Sequence, residues 1–253
     1  MNESAIAGSD WPPIRQPLEL SPLVVHVIRV KLDQPTEHWM SLNELLTGDE
    51  RMRADRFRFE EPRRRFVTCR ATLRQVLGMC CGVAPVAVPL RYGPHGKPEL
   101  SFSELDSKVP RMEFSVSHSG GLGLIAVTVG SSVGIDIEEC NPAVKILKLA
   151  ERFFAPAEAS ELNNLVPEKQ LPGFYRGWTC KEAYIKAKGM GLSLSLSSFR
   201  VAIDPDRPAS LCHVDDQPDE PFRWTIQSLD VAHNYAAAVM VAQPNCCFRC
   251  WDW

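Results

Sequence analysis

The sequence repeats itself, faintly, about 111 residues apart. Thr68-Cys69-Arg70 returns as Thr179-Cys180-Lys181, an offset of 111, and the AVTV run at 126–129 returns as AVMV at 238–241, an offset of 112. The ADRF run at 54–57 is matched by AERF at 150–153, after which the second copy carries about fifteen extra residues. Three echoes in the same order argue for a duplicated supersecondary unit. At ~150 residues per domain a chain of 253 fits one large domain or two small ones. The echo favours two pseudo-symmetric α+β halves with a cleft between them, where ligand sites tend to lie. The divisions this predicts are a Pro-rich mobile N-terminal extension over 1–20, one half over 21–131, and a second over 132–253 that ends in a Cys/Trp-rich tail.

Composition narrows the class. Hydrophobic residues make up 45% and charged residues 23%, the balance of a globular protein, which excludes a disordered chain and a collagen. A net charge of −3 provides no basic field for nucleic acid. The longest charge-free run, 114–135, is too rich in Ser and Gly to cross a bilayer. The first residues lack the basic start and apolar core of a signal peptide, so a cytoplasmic location is expected. Nine cysteines, an odd number without framework spacing, agree with a reducing compartment. Cys247-Phe-Arg-Cys250 is a lone CxxC without the second pair or βαβ context that a zinc or redox site wants, so it reads as a frayed tail with reduced thiols.

Periodicity places the elements. A strand is expected over 23–30, helical spacing over 42–57, and a helix over 61–77 with Phe66, Cys69, Leu73 and Leu77 on one face. Strands follow at 113–117, 124–129 and 133–139. The second half predicts a helix over 147–165, a stronger one over 174–188 closed by Gly189, an extended stretch through Leu192, Leu194 and Leu196 into 199–203, and a final hairpin of 222–227 with 235–241.

Two familiar patterns fail on context. GLGLIA at 121–126 fits the dinucleotide fingerprint, but a strand follows where the pyrophosphate needs a helix N-terminus. GSSVG at 130–134 fits a nucleophile elbow, yet Ile135-Asp136-Ile137-Glu138 alternates like a strand instead of turning into a helix. That alternation is itself informative. Asp136 and Glu138 share one face while Ile135 and Ile137 enter a core. Two hard carboxylates with no adjacent Lys or Arg suit Mg²⁺ or Mn²⁺; an acidic solvent face is the plainer reading of the same residues. On the helix, Trp178, Glu182 and Lys186 project from one side, as a surface pair or as a cleft-facing acid and phosphate-binding cation. Ser117-His118 and the basic loop Arg91 to Pro98 each suit a polar ligand or a solvated turn.

Taken together, Gly96-Lys97-Pro98, FSVSHS at 114–119, VGIDIE at 133–138 and WTCKEAYIKAKGMGLS at 178–193 form an ordered set. It resembles the Sfp-type 4′-phosphopantetheinyl transferases over roughly residues 50 to 242. The resemblance implies transfer of the phosphopantetheine arm of coenzyme A to a serine of an apo acyl or peptidyl carrier protein, with 3′,5′-ADP as the other product. It also implies two similar halves in one chain, acting as a monomer with CoA between them. By the same resemblance Asp136, Glu138 and Glu182 hold Mg²⁺ against the CoA pyrophosphate, and Lys186 offsets phosphate charge. Ser117 and His118 contact CoA phosphates, and Arg53, Arg91 and the Gly96-Lys97-Pro98 loop add further clamps. The proton of the attacking serine goes to Glu158, to Glu182 or to a water at the metal. The extension and the tail have no clear counterpart in the family.

Two other readings stand beside this one. The chain could hold CoA or a carrier without turnover, or act as a serine hydrolase through Ser132 with His213 or His233.

Overall fold

A computed structural model describes residues 10–253. The N-terminal half opens with β1 (Val24–Lys31), whose valines and isoleucine favour a pleated, buried surface. Two short helices follow, α1 (Thr36–Glu44) and α2 (Gly48–Ala54). The single helical stretch expected over 42–57 is broken here because Thr47 starts a new N-terminus. Its hydroxyl accepts from Glu50 N, and Glu50 reaches back to Thr47 N, a reciprocal cap. The long helix α3 (Glu60–Cys81) runs four residues beyond the expected end at Leu77. Gly78 does not stop it; a Cβ there would lie 2.8 Å from Val83 O, so this glycine serves close packing. The stop is Gly82, whose φ of +69° a residue with a side chain adopts at a cost. A small hairpin, β2 (Leu90–Tyr92) with β3 (Pro98–Leu100), leads to β4 (Met112–Ser119) and β5 (Leu122–Val129).

The C-terminal half runs through the same order: β6 (Val133–Glu139), α4 (Ile146–Phe153), α5 (Pro156–Asn164), α6 (Pro167–Lys188), the hairpin β7 (Phe199–Val201) with β8 (Leu211–Val214), then β9 (Thr225–Leu229) and β10 (Tyr235–Val241). The helix expected over 147–165 divides at Ala155, because Pro156 takes the first helical position of α5, where its missing N–H is harmless. Leu192 to Leu196 form no strand; short 3₁₀ turns cover 191–193 and 196–198, with only Leu194 and Ser195 extended between them.

Sheet order confirms the duplication. One sheet runs β11-β1-β5-β4, where β11 is Cys247–Asp252, and the other runs β6-β10-β9. Without β11 the two orders correspond strand for strand. Two of the three sequence echoes fall on matching places, the middles of the two 22-residue helices and the two central strands; the third does not, since Ala54 ends α2 whereas Ala150 to Phe153 close α4. Alternate residues of the first sheet serve two cores. Ile28, Val30, Ile125 and Val127 pack with α3, while Val25, Val27, Leu124 and Ala126 pack with Ile135, Ile137 and Val239 of the second sheet. On the far face of that second sheet, Ala238 and Met240 join the core beneath α6. The result is a helix–sheet–sheet–helix stack.

The ends of the chain depart from expectation. The tail is no frayed segment of the second half: β11 pairs in parallel with β1 of the first. On that strand Cys247 is exposed and Cys250 buried, since positions three apart face opposite ways, so the CxxC thiols do not converge. Residues 1–9 of the expected mobile extension lie outside the described residues. From Asp10 onward the segment is fastened. Trp11 is buried under the Arg29 guanidinium, and Ile14 N donates to Asp252 O. Among the described residues no helix is long and apolar enough to cross a membrane.

Candidate functional site

The two sheets meet along β4 and β6, and this seam builds the site. No backbone ladder joins these strands. Instead three hydroxyls at a period of two, Ser115, Ser117 and Ser119, reach across. Ser115 Oγ accepts from Ile135 N at 3.2 Å, and Ser119 Oγ accepts from Glu139 N at 3.1 Å while donating to Glu138 Oε2 at 3.0 Å. The middle hydroxyl, Ser117 Oγ, donates to Asp136 Oδ1 at 2.8 Å.

From the other side of β6 comes α6, drawn close because Gly134 and Ala183 present almost no side chain between the two backbones. The approach delivers Lys186, whose Nζ donates to Asp136 Oδ1 at 2.7 Å and to Ser117 Oγ at 2.8 Å. It also delivers Glu182, which lines the same cleft. Trp178, one turn back, packs on Phe153, Phe154 and Phe174, so this stripe of α6 is no solvent face.

Asp136 is only 3% exposed, which rules out the acidic surface strand as a reading. Its Oδ2 is buried without a hydrogen-bond partner, an arrangement costly for a carboxylate unless something fills it. Burial, and then the charge of Asp136, push the carboxyl of Glu138 above the usual carboxylate range. Glu182 is raised in the same way, by burial first, then by Asp136 and Glu138 against the pull of Lys186. Three mutually repelling carboxylates, one with an orphaned oxygen, fit a hard divalent cation that keeps waters of its own. Among the described residues no three His, Cys, Asp or Glu side chains stand together as a ready-made metal cage.

The cleft beside this acid site divides into two adjoining cavities of about 290 and 330 Å³, both bounded by Gly96, Pro98, Val116 and Lys186. Glu182 lies in the smaller. The larger is cationic, lined by Arg53, Arg70, His118 and Lys186. His118 stands on the face of β4 opposite the three serines. Partial desolvation, then the charges of Lys186, Arg53, Arg65 and Arg70, hold its pKa below the ordinary histidine value. A neutral imidazole among four cations suits an anion that accepts hydrogen bonds.

Arg70 was not singled out in the sequence, where it sits among seven arginines between 51 and 65 and Arg74. Its relative exposure is 8%, it lines the cationic cavity, and its Nη1 is buried without a partner. The echo pairs Arg70 with Lys181, which lines neither cavity, so no local signal in the sequence marks Arg70 as a cavity residue.

Other expected residues stand differently. Gly96 and Pro98 line both cavities and Lys97 lines the smaller, where its Nζ donates to Val133 O at 3.2 Å and burial pushes its pKa down despite Glu113 nearby. Arg91 is exposed, 3.6 Å from Glu99, and lines neither cavity. Glu158 is not brought to the site. It is 2% exposed, its Oε2 accepts from Ala155 N at 2.9 Å, its Oε1 accepts from Val201 N at 2.8 Å, and Lys181 Nζ lies 2.7 Å from Oε2. A carboxylate so engaged has no room for a substrate proton. The hydrolase arrangement is also absent. The cavity at Ser132 is lined by Lys188, Glu220, Arg223 and Trp224 without a histidine, and His213 is paired with Asp215 on the surface.

Known proteins resemble this chain along nearly its whole length. The 4′-phosphopantetheinyl transferase superfamily matches residues 132–240, and a model of the N-terminal part of 4′-phosphopantetheinyl transferases matches residues 33–130. The 4′-phosphopantetheinyl transferase HetI of Nostoc sp. is 39% identical over 232 residues, covering 92% of this chain and 93% of its own. A 4′-phosphopantetheinyl transferase of Bacillus subtilis is 32% identical, covering 80% of this chain and 84% of its own. The 4′-phosphopantetheinyl transferase Sfp of Bacillus subtilis strain 168 is 28% identical over 221 residues, covering 87% and 92%.

Proposed function

The chain belongs to the 4′-phosphopantetheinyl transferase superfamily, and from that premise we propose that it transfers the phosphopantetheine arm of CoA to a serine hydroxyl of an apo acyl or peptidyl carrier protein, with Mg²⁺ or Mn²⁺ at Asp136, Glu138 and Glu182. The observation that carries this reading is the juxtaposition at Lys186. On one side lies a buried acid site with an orphaned Asp136 oxygen, and on the other a cationic cavity sized for phosphate groups.

In the reaction a bond forms between the carrier serine Oγ and the phosphorus that bears the pantetheine. The bond from that phosphorus to the oxygen of the leaving 3′,5′-ADP breaks, and the serine proton leaves. Such a transfer needs positioning and charge stabilisation more than covalent help from the protein. A divalent ion at the carboxylates would neutralise charge on the pyrophosphate oxygens. Lys186 reaches from the acid site into the cavity, placed to draw phosphate oxygen toward Asp136. Arg70, Arg53 and His118 hold a phosphate away from the reacting bond, and Ser117 fixes Asp136 and Lys186 relative to each other. With Glu158 committed to the fold, the serine proton would go to Glu182 or to a water at the carboxylate cluster. The pseudo-symmetric halves bring both walls of the cleft into one chain, so a single chain is the acting species.

The test is the intact mass of an apo acyl-carrier protein after incubation with this protein, CoA and Mg²⁺, with EDTA as control. One phosphopantetheine-sized increase that EDTA abolishes supports the proposal. No increase on acyl, peptidyl or polyketide carriers overturns it.

A further inference from the structure

Each half of the fold hides a buried ion pair of the same design. In the C-terminal half, Glu158, at the third position of α5, caps Ala155 N and meets Lys181 from the middle of α6. Lys181 is fully buried, and its Nζ also donates to Leu196 O and Phe199 O, each at 2.7 Å. In the N-terminal half, Glu50, at the third position of α2, caps Thr47 N at 3.0 Å and meets Arg74 Nε at 2.6 Å. Arg74 Nη1 then donates to Pro85 O, Val86 O and Val88 O. In both halves an N-terminal glutamate of a short helix takes a cation from the long helix, and that cation clamps carbonyls in the segment that follows.

The duplicate separates the pair from the acid site, because the cavity that Glu50 borders is lined by none of Asp136, Glu138 and Glu182. What the two pairs share is a ligand-facing neighbour on the long helix. Arg70 of the cationic cavity lies with its Nε 3.6 Å from Glu50 Oε1, and Glu182 of the acid site directly follows Lys181. We propose that Glu158 and Lys181 are positioning residues: by tying α5, α6, the 191–198 turns and β7 to one buried point, they set the place of Glu182 in the acid site. The inference rests on the transferase reading above. Residues that hold a metal ligand in place typically govern metal affinity or activity by about 10- to 100-fold.

Removing one partner strands the other as a buried charge and threatens folding, whereas removing both together is far milder. The variant of choice is therefore the double substitution Glu158→Gln/Lys181→Met, with Glu158→Asp as a second that keeps both charges but shortens the reach. Two quantities are measured on the full chain: Mn²⁺ affinity by electron paramagnetic resonance, and transfer kinetics resolved into kcat and KM. For the double variant Mn²⁺ binding weakens about 10-fold or more and kcat falls at least as far, while KM for the carrier stays within about twofold. Glu158→Asp shows the same split at smaller size. Unchanged Mn²⁺ affinity and kcat in a folded variant would overturn the proposal. So would loss of kcat in both variants with Mn²⁺ binding intact, which would return Glu158 to proton transfer. Absence of Mn²⁺ binding and transfer in the unsubstituted protein would instead sink the acid-site reading, and this inference with it.

Discussion

Gly134→Ala tests whether the distance between β6 and α6 sets the chemistry. A Cβ at Gly134 would lie 2.6 Å from Ala187 N and closer still to Ala183 O, where ordinary contact begins near 3.4 Å. The obstructing atoms are helix backbone, so no side-chain rotation relieves them, and α6 has to retreat by about 1 Å or more. Glu182 and Lys186 flank the contact on α6, and Asp136 lies two residues along β6. The 2.7 Å bond from Lys186 to Asp136 is therefore stretched out of range. Overpacking of this kind costs about 1–3 kcal/mol, which in a chain of this size lowers Tm by roughly 3–10 °C. A displacement of about 1 Å at a reacting centre costs about 100-fold in rate. The assay is carrier transfer under saturating CoA, alongside a thermal melt and a Gly48→Ala control at a position with open space around it. Gly134→Ala that melts in a cooperative transition yet transfers within threefold of the parent would show that the spacing of β6 and α6 does not set the chemistry.

Further outcomes follow from the same geometry. Arg70→Met removes the buried guanidinium of the cationic cavity, and loss of a charge-assisted hydrogen bond predicts about 10- to 100-fold weaker binding of 3′,5′-ADP by calorimetry. Glu138 and Glu182 have carboxyls raised in the fold, so their stabilising contribution is present below the unfolded pKa and is lost as pH rises through the folded one. The metal-free protein is thus penalised near neutrality; Glu138→Gln should raise its Tm at pH 7.5 and change it little near pH 4. Mg²⁺ at ~100 times its dissociation constant adds about 2.7 kcal/mol, a rise of about 5–10 °C at pH 7.5, and EDTA reverses it. Ser132→Ala should leave carrier transfer unchanged, since its cavity adjoins neither the acid site nor the cationic one; a loss of activity would revive the hydrolase arrangement.

How legible the molecule is from its residues depends on the range of the interaction. Alternation alone places Asp136 and Glu138 on one face of β6, with Ile135 and Ile137 in the core. The 111-residue echo places the middles of α3 and α6 in equivalent positions. Local pattern does not report which carboxylate is spent in the fold. Glu158 looks free in sequence, yet its partners Val201 N and Lys181 lie 43 and 23 residues away. The three serines of β4 read as a polar strand end, because their role as a seam requires β6 beside them. The tail carries no helical or hairpin signal, and its pairing with β1 more than 200 residues away is a purely tertiary event. Gly78 and Gly82 show the same limit at short range, since only the packing of Val83 tells which of the two ends the helix.

The most direct measurement is an anomalous difference map from crystals of the protein soaked with Mn²⁺ and CoA. The expected result is one Mn²⁺ peak at Asp136, Glu138 and Glu182, beside Lys186, with CoA phosphate groups in the cavity of Arg70 and His118. Ordered CoA in that cleft with no peak at the three carboxylates, or CoA bound elsewhere on the molecule, would contradict it.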